Sequence, residues 1–156
     1  MNDTQAANAG FTLLEIVCTL AILAMTAAIL LPAVPYATSR SRIEAYAVET
    51  AALLKQDRIA AIRNRGQIDT RVDPDRREII SGSANRMVRI PSDVDFESIL
   101  PRRCNRHPVL SAISFMQTGM SCGGVITLTR SGVGFEIRVN WLTGNVEVVP
   151  HPLAKI

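Results

Sequence analysis

The chain has 156 residues and a mass of 17.0 kDa, room for one domain of ordinary size and not two. Hydrophobic residues make up 47% and charged residues 20%, which excludes a disordered chain, and 4% aromatics argue against a base-stacking platform for nucleic acid. Three cysteines are too few for a disulfide scaffold, two histidines leave little for zinc, and a net charge of +3 names no polyanionic partner.

Mean hydropathy is +0.17, and the excess is concentrated near the start. From Ile16 to Ser39, 24 positions, there is no Asp, Glu, Lys, Arg or His. At about 1.5 Å per residue a helix of that length reaches ~36 Å, enough for a hydrocarbon core of about 30 Å. A 156-residue fold has too little material to surround such a rod, so the segment reads as membrane-spanning. A cleaved secretory signal fits less well. Met1 to Gly10 carries no Lys or Arg, Glu15 interrupts the start of the apolar run, and Leu31-Pro32-Ala33-Val34-Pro35 is a poor cleavage site.

The mouth of the apolar run is informative. Gly10-Phe11-Thr12-Leu13-Leu14-Glu15 sets a carboxylate at the threshold of the membrane. A charge there costs on the order of 2.5–3.5 kcal/mol at mid-membrane and less at the interface. A cut after Gly10 places the new ammonium of Phe11 about 6 Å of helix rise from Glu15. Opposite charges ~4 Å apart attract by roughly 4 kcal/mol at an effective dielectric near 20, which offsets the burial. The pair forms within one chain or between staggered neighbours.

These residues resemble the N-terminal signature of the type IV pilin and pseudopilin superfamily: a short polar leader ending in Gly, then Phe, apolar residues, Glu and a long apolar helix. Gly10, Phe11 and Glu15 match it residue by residue, and Pro32 falls where the family commonly bends this helix. The resemblance implies leader cleavage between Gly10 and Phe11 by a prepilin peptidase, N-methylation of Phe11, and assembly through Glu15 and Pro32. It also implies a cytoplasmic N-terminus. Charge counting does not, because Arg40 and Arg42 flank the far end of the span.

Beyond Pro32 and Pro35, where a kink is expected, a helical period resumes from about Ser41 to Arg65. Ile43, Ala47, Thr50, Leu54 and Ala61 fall near one face, and Gly66 is the expected stop signal. Thr12 to Arg65 is expected as one long, bent helix of about 80 Å. The period then changes to two. Gln67 to Val72 and Arg77 to Ser81 flank the turn Asp73-Pro74-Asp75-Arg76, and Met87 to Ile90 is a short strand. Pro91 to Pro108 reads as irregular. Further on, Ile126 and Leu128 share a face, Phe135, Ile137 and Val139 alternate with Glu136, Arg138 and Asn140, and Val146 and Val148 repeat the pattern. Glycine-rich turns at 131–134 and 143–145 join these strands as hairpins.

The expected fold is therefore α+β and pilin-like: a long N-terminal transmembrane helix packed on a small, mostly antiparallel sheet. The expected divisions are a leader over 1–10, the transmembrane and assembly half of the helix over 11–39, and a periplasmic domain over 40–156. The helix end Leu53 to Gln67, with Phe115, Gly119, Gly123 to Leu128 and Thr143 to Val146, resembles the H-type minor pseudopilins of type II secretion. Minor type IV pilins share that likeness.

Several residues invite chemistry. Gly119-Met120-Ser121-Cys122-Gly123 matches G-x-S-x-G, but a nucleophile elbow needs a helix after the serine, and strand periodicity follows here. A bend entering a hairpin is the reading adopted. Cys104 and Cys122 lie beyond the span, in an oxidising compartment on this topology. A bridge between them closes a loop worth about 3 kcal/mol; two unpaired buried thiols are the alternative. Cys18 reads as a small packing residue. Arg102, Arg103, Arg106 and His107 form the sharpest positive patch, yet 17 basic and 12 acidic residues are interspersed over 40–156. A solvated surface is the reading adopted, with no nucleic acid expected. Asp73 and Asp75 lack the oxygen ligands that calcium needs. Trp141 either caps the core or rims a subunit contact.

The resemblance thus implies a non-enzymatic minor pseudopilin of a type II secretion system, without cofactor or metal, in the bacterial inner membrane. Its partners would be other major and minor pseudopilins, the prepilin peptidase and the inner-membrane assembly platform. A minor type IV pilin serving pilus assembly or DNA uptake is the alternative. An uncleaved single-pass protein is the third option.

Overall fold

The computed structural model describes residues 12–30, 39–105 and 107–151. Gly10, Phe11, Pro32, Pro35 and Arg106 lie outside the described residues. The chain divides into two units, 1–37 and 38–156.

The first unit contains α1, Leu13–Leu30. Thr12 caps it: its carbonyl and Oγ1 accept the Glu15 N–H at 3.0 and 3.3 Å. Thr-x-x-Glu is a helix-start pattern, and an acid in the first turn also meets the positive end of the helix dipole. Every side chain described on α1 is exposed, Leu13 at 81%.

The second unit opens with α2, Arg40–Asn64, which packs on two four-stranded antiparallel sheets. One sheet runs β3-β2-β1-β7 and the other β10-β9-β8-β4. The strands of the first are β1 Ile68–Asp73, β2 Glu78–Ile80, β3 Met87–Arg89 and β7 Ala112–Phe115. Those of the second are β4 Asp95–Ile99, β8 Gly124–Arg130, β9 Val133–Val139 and β10 Val146–Pro150. A two-stranded ribbon, β5 Arg103–Cys104 with β6 His107–Pro108, stands apart from both.

One apolar cluster joins the three layers. Ile43, Ala47, Leu53, Leu54 and Ala61 of α2 meet Val72, Ile79, Ile113 and Phe115 of one sheet and Ile126, Leu128, Ile137 and Val146 of the other. The inward set on β8 and β9 is the alternation expected from the sequence, held in register by Ile126 opposite Ile137 and Leu128 opposite Phe135.

Three expectations change, and one strand, β7, was not expected at all. The single small sheet is two sheets. The region 91–108, expected to be irregular, contains β4 and the ribbon; β4 was hidden because Asp95 and Glu97 alternate on the exposed face of an edge strand. β7 is buried at all four positions and so has no polar–apolar alternation to read. Finally, Arg65 rather than Gly66 takes the left-handed conformation that ends α2, at φ 52°. Its N–H bonds to Ile62 O and that of Gly66 to Ala61 O, so two orphan carbonyls are satisfied at the cost of modest strain in Arg65. The expected continuous helix over 12–65 is represented by α1 and α2, with 31–38 outside the described residues.

Candidate assembly site

The apolar surface of α1 is the first feature with functional content. Along this helix Leu13, Leu14, Ile16, Val17, Leu20, Ile22, Leu23 and Met25 are all exposed. Its polar side chains are satisfied locally: Thr19 Oγ1 donates to Ile16 O at 2.9 Å, and Thr26 Oγ1 to Leu23 O at 2.9 Å. Cys18 is a free, exposed thiol on this helix. Glu15, exposed in the first turn, is the one described charge on it. Among the described residues, no helix is long and apolar enough to cross a membrane. In the sequence the uncharged run continues from Leu30 to Ser39.

The domain carries a second acid that the sequence reading missed. Asp57 is fully buried on α2 and forms no ion pair among the described residues. Its Oδ2 accepts from Thr70 Oγ1 at 2.6 Å and the Gly82 N–H at 3.1 Å. Its Oδ1 accepts from Ser81 Oγ at 2.6 Å, Ser83 Oγ at 2.5 Å and the Ser83 N–H at 3.2 Å. Five donors from β1 and the β2–β3 loop replace the water a carboxylate requires, and thereby fasten helix, strand and loop together. Gly82 is required there because a Cβ would run into the Asp69 carbonyl. The signal available in the sequence was an acid on the apolar face of the helix, followed by Ser81-Gly82-Ser83; neither half identifies the other.

The remaining candidates sort by geometry. Ser121 is buried, donates to Ser114 O at 2.9 Å and accepts from the Gly123 N–H at 3.1 Å, with β8 following. It is thus part of a bend and has no exposed hydroxyl to act as a nucleophile. Cys104 and Cys122 are joined as a disulfide, their Cα atoms 5.6 Å apart, which ties the ribbon to the segment between β7 and β8. Arg102, Arg103 and His107 are exposed on and beside the ribbon. Asp73 Oδ1 accepts the Arg76 N–H at 2.9 Å, an Asx turn, and no cluster of metal-ligating residues occurs among the described residues. On the outer face of β9, burial raises the Glu136 pKa, but hydrogen bonds from Arg138 and His151 outweigh it and hold this carboxyl below the usual range. Trp141, 64% exposed, does not cap the core.

A family model, the prokaryotic N-terminal methylation motif, matches residues 5–31. Among solved structures, the fold is similar to the minor pseudopilin EpsH from the type 2 secretion system of Vibrio cholerae, with a TM-score of 0.52 at 9% identity. That match covers 72% of this chain and 98% of EpsH. It is equally similar to the type IV minor pilin FimU of Pseudomonas aeruginosa, at a TM-score of 0.52 and 14% identity over 76% of this chain and 94% of FimU. A second crystal form of FimU gives 0.50 over 72% and 94%. No curated protein matches the sequence. At these identities the structural likeness speaks to fold. A methylation motif at 5–31 thus precedes a domain whose fold is similar to those of a minor pseudopilin and a minor type IV pilin.

Proposed function

We propose that the chain is a minor pseudopilin of a type II secretion system, a structural subunit of a periplasmic fibre that drives folded proteins across the outer membrane. The observation that carries this reading is the methylation motif at 5–31 joined to a fold like that of EpsH. In this reading a prepilin peptidase cuts between Gly10 and Phe11 and methylates the new amine. The helix that begins at Phe11 anchors the subunit in the inner membrane, N-terminus cytoplasmic and domain periplasmic. It then leaves the bilayer for the fibre, where its apolar surface packs on other pseudopilins. Glu15 neutralises the ammonium of Phe11, its own or a neighbour's, and Pro32 bends the helix. Catalysis has no place in this role.

The test is the intact mass of the native protein from membranes. Loss of Met1 to Gly10 with one added methyl group is expected, and a retained leader overturns the reading. Gly10→Leu is expected to abolish maturation, read as full-length precursor on the same spectrum; normal processing contradicts the cut site.

The likeness to FimU, as strong as that to EpsH, favours a second reading: a minor type IV pilin. Neighbouring genes separate the two, secretion channel and ATPase against pilus and competence functions. DNA retardation by the protein, abolished by Arg102→Ala with Arg103→Ala, favours the pilin.

A further inference from the structure

The turn between β9 and β10, residues 140–145, is tightly built for a surface loop. Asn140 Oδ1 accepts the N–H groups of Leu142 and Thr143 at 2.9 and 3.0 Å. Asn140 O accepts the Gly144 N–H at 2.8 Å, and the Asn140 N–H donates to Asn145 O at 2.9 Å. Gly144, at φ 64°, lies so close to Gly119 O and the Arg58 side chain that a Cβ would collide with both. Arg58 Nε in turn donates to Gly119 O at 2.9 Å, and Gly119 rests against Ile62. The Ser121 N–H bonds to Trp141 O at 3.1 Å. The segment 119–121 and the end of α2 thus hold the turn in one shape.

That rigid turn presents its two largest apolar side chains to solvent. Trp141 is 64% exposed and Leu142 54%, and Ile62 on the adjoining helix is also exposed. A pre-ordered tryptophan is the costliest group to leave in water and the commonest energetic centre of a protein interface. Its surroundings give the partner a sign. On α2, Arg58 reaches Gly144 and Lys55 lies beside Asn145, while the one carboxylate in that stretch of helix, Asp57, is buried and fully bonded. No acid occurs from Val139 to Val146. Beside the turn lies a cleft of about 290 Å³ lined by Arg138, Asn140, Thr143, Asn145 and Glu147. Amides, a hydroxyl and both charges suit a hydrogen-bonding protein rim, and Glu147 opposes an anionic lipid surface.

We propose that Trp141 and Leu142, backed by Ile62, are the anchor through which the domain docks a second pilin-type subunit, at an apolar pocket rimmed by carboxylates. The proposal rests on the assembly reading and adds the contact surface to it.

The test places a photo-reactive phenylalanine at Trp141 in the full chain, in native membranes, with the same reporter at Met87 and Ile99, two exposed apolar residues on other strands. The expected adduct forms at 141 with a protein that bears a processed N-terminal methylation motif. The controls give about tenfold less, and Lys55→Glu lowers the 141 adduct several-fold. Equal yields at all three positions, a yield indifferent to charge reversal, or adducts with lipid alone overturn it. If the chain begins at methylated Phe11 and pilin-type adducts form only at the controls, this docking surface is wrong and the assembly reading stands. A chain that keeps its leader and gives no pilin-type adduct removes both.

Discussion

α1 and α2 are both rich in apolar residues, and they use them in opposite ways. α2 buries Ile43, Ala47, Leu53, Leu54 and Ala61 against two sheets, and its only inward acid, Asp57, is matched donor by donor within the same domain. α1 exposes every side chain described and keeps Glu15 at its first turn without a described counter-ion. A helix whose polar groups find partners at home is finished on folding. One that is apolar on all sides has no polar face to turn to water.

The contrast can be broken at its two acids first. Glu15→Leu is expected to leave membrane insertion intact or improved while reducing incorporation into a fibre several-fold, measured as the fraction of protein recovered in sheared assemblies. Unchanged incorporation removes its pairing role. Asp57→Leu acts on the domain alone: it strands the Thr70 hydroxyl and the Gly82 amide where water has little access, at roughly 1–3 kcal/mol for each buried orphan, so about 4 kcal/mol of stability is expected to go. Denaturant titration measures this, and a loss below about 1 kcal/mol contradicts the fastening role. Asp57→Asn keeps the shape and loses the charge, so it should fall between the two.

Smaller effects sharpen the picture of the domain. Cys104→Ser with Cys122→Ser should cost about 3 kcal/mol by the loop-closure argument, seen as a lower denaturation midpoint that dithiol treatment of the native protein reproduces. The smallest change concerns pH. Because the Glu136 carboxyl is held below its ordinary range, its contribution is present above the unfolded value near 4.5 and is lost as pH falls through the lowered one. The stability difference between the natural protein and Glu136→Gln should therefore shrink steadily as pH falls below about 5. A constant gap across that window contradicts the assigned bonds to Arg138 and His151.

What the sequence disclosed follows periodicity. The buried face of α2 and the inward sets on β8 and β9 were legible because each repeats at the spacing of its element, and the turn at Asp73-Pro74 because its residue types favour one. β7, buried on both faces, and β4, an acidic edge, break that rule in opposite directions. Asp57 was illegible for a different reason: its five donors belong to four residues 13 to 26 positions away, which are ordinary Ser, Thr and Gly until the fold gathers them. Trp141 could be named but not placed. Which side of the molecule it faced depended on the turn at 140–145, where side-chain amides and a left-handed glycine set the geometry.

The threonines of α1 have a consequence for whatever meets the rod. Because Thr19 and Thr26 return their hydroxyl protons to carbonyls of their own helix, those groups ask nothing of their surroundings, and the unmet polarity of the described helix is concentrated in a single carboxylate, Glu15.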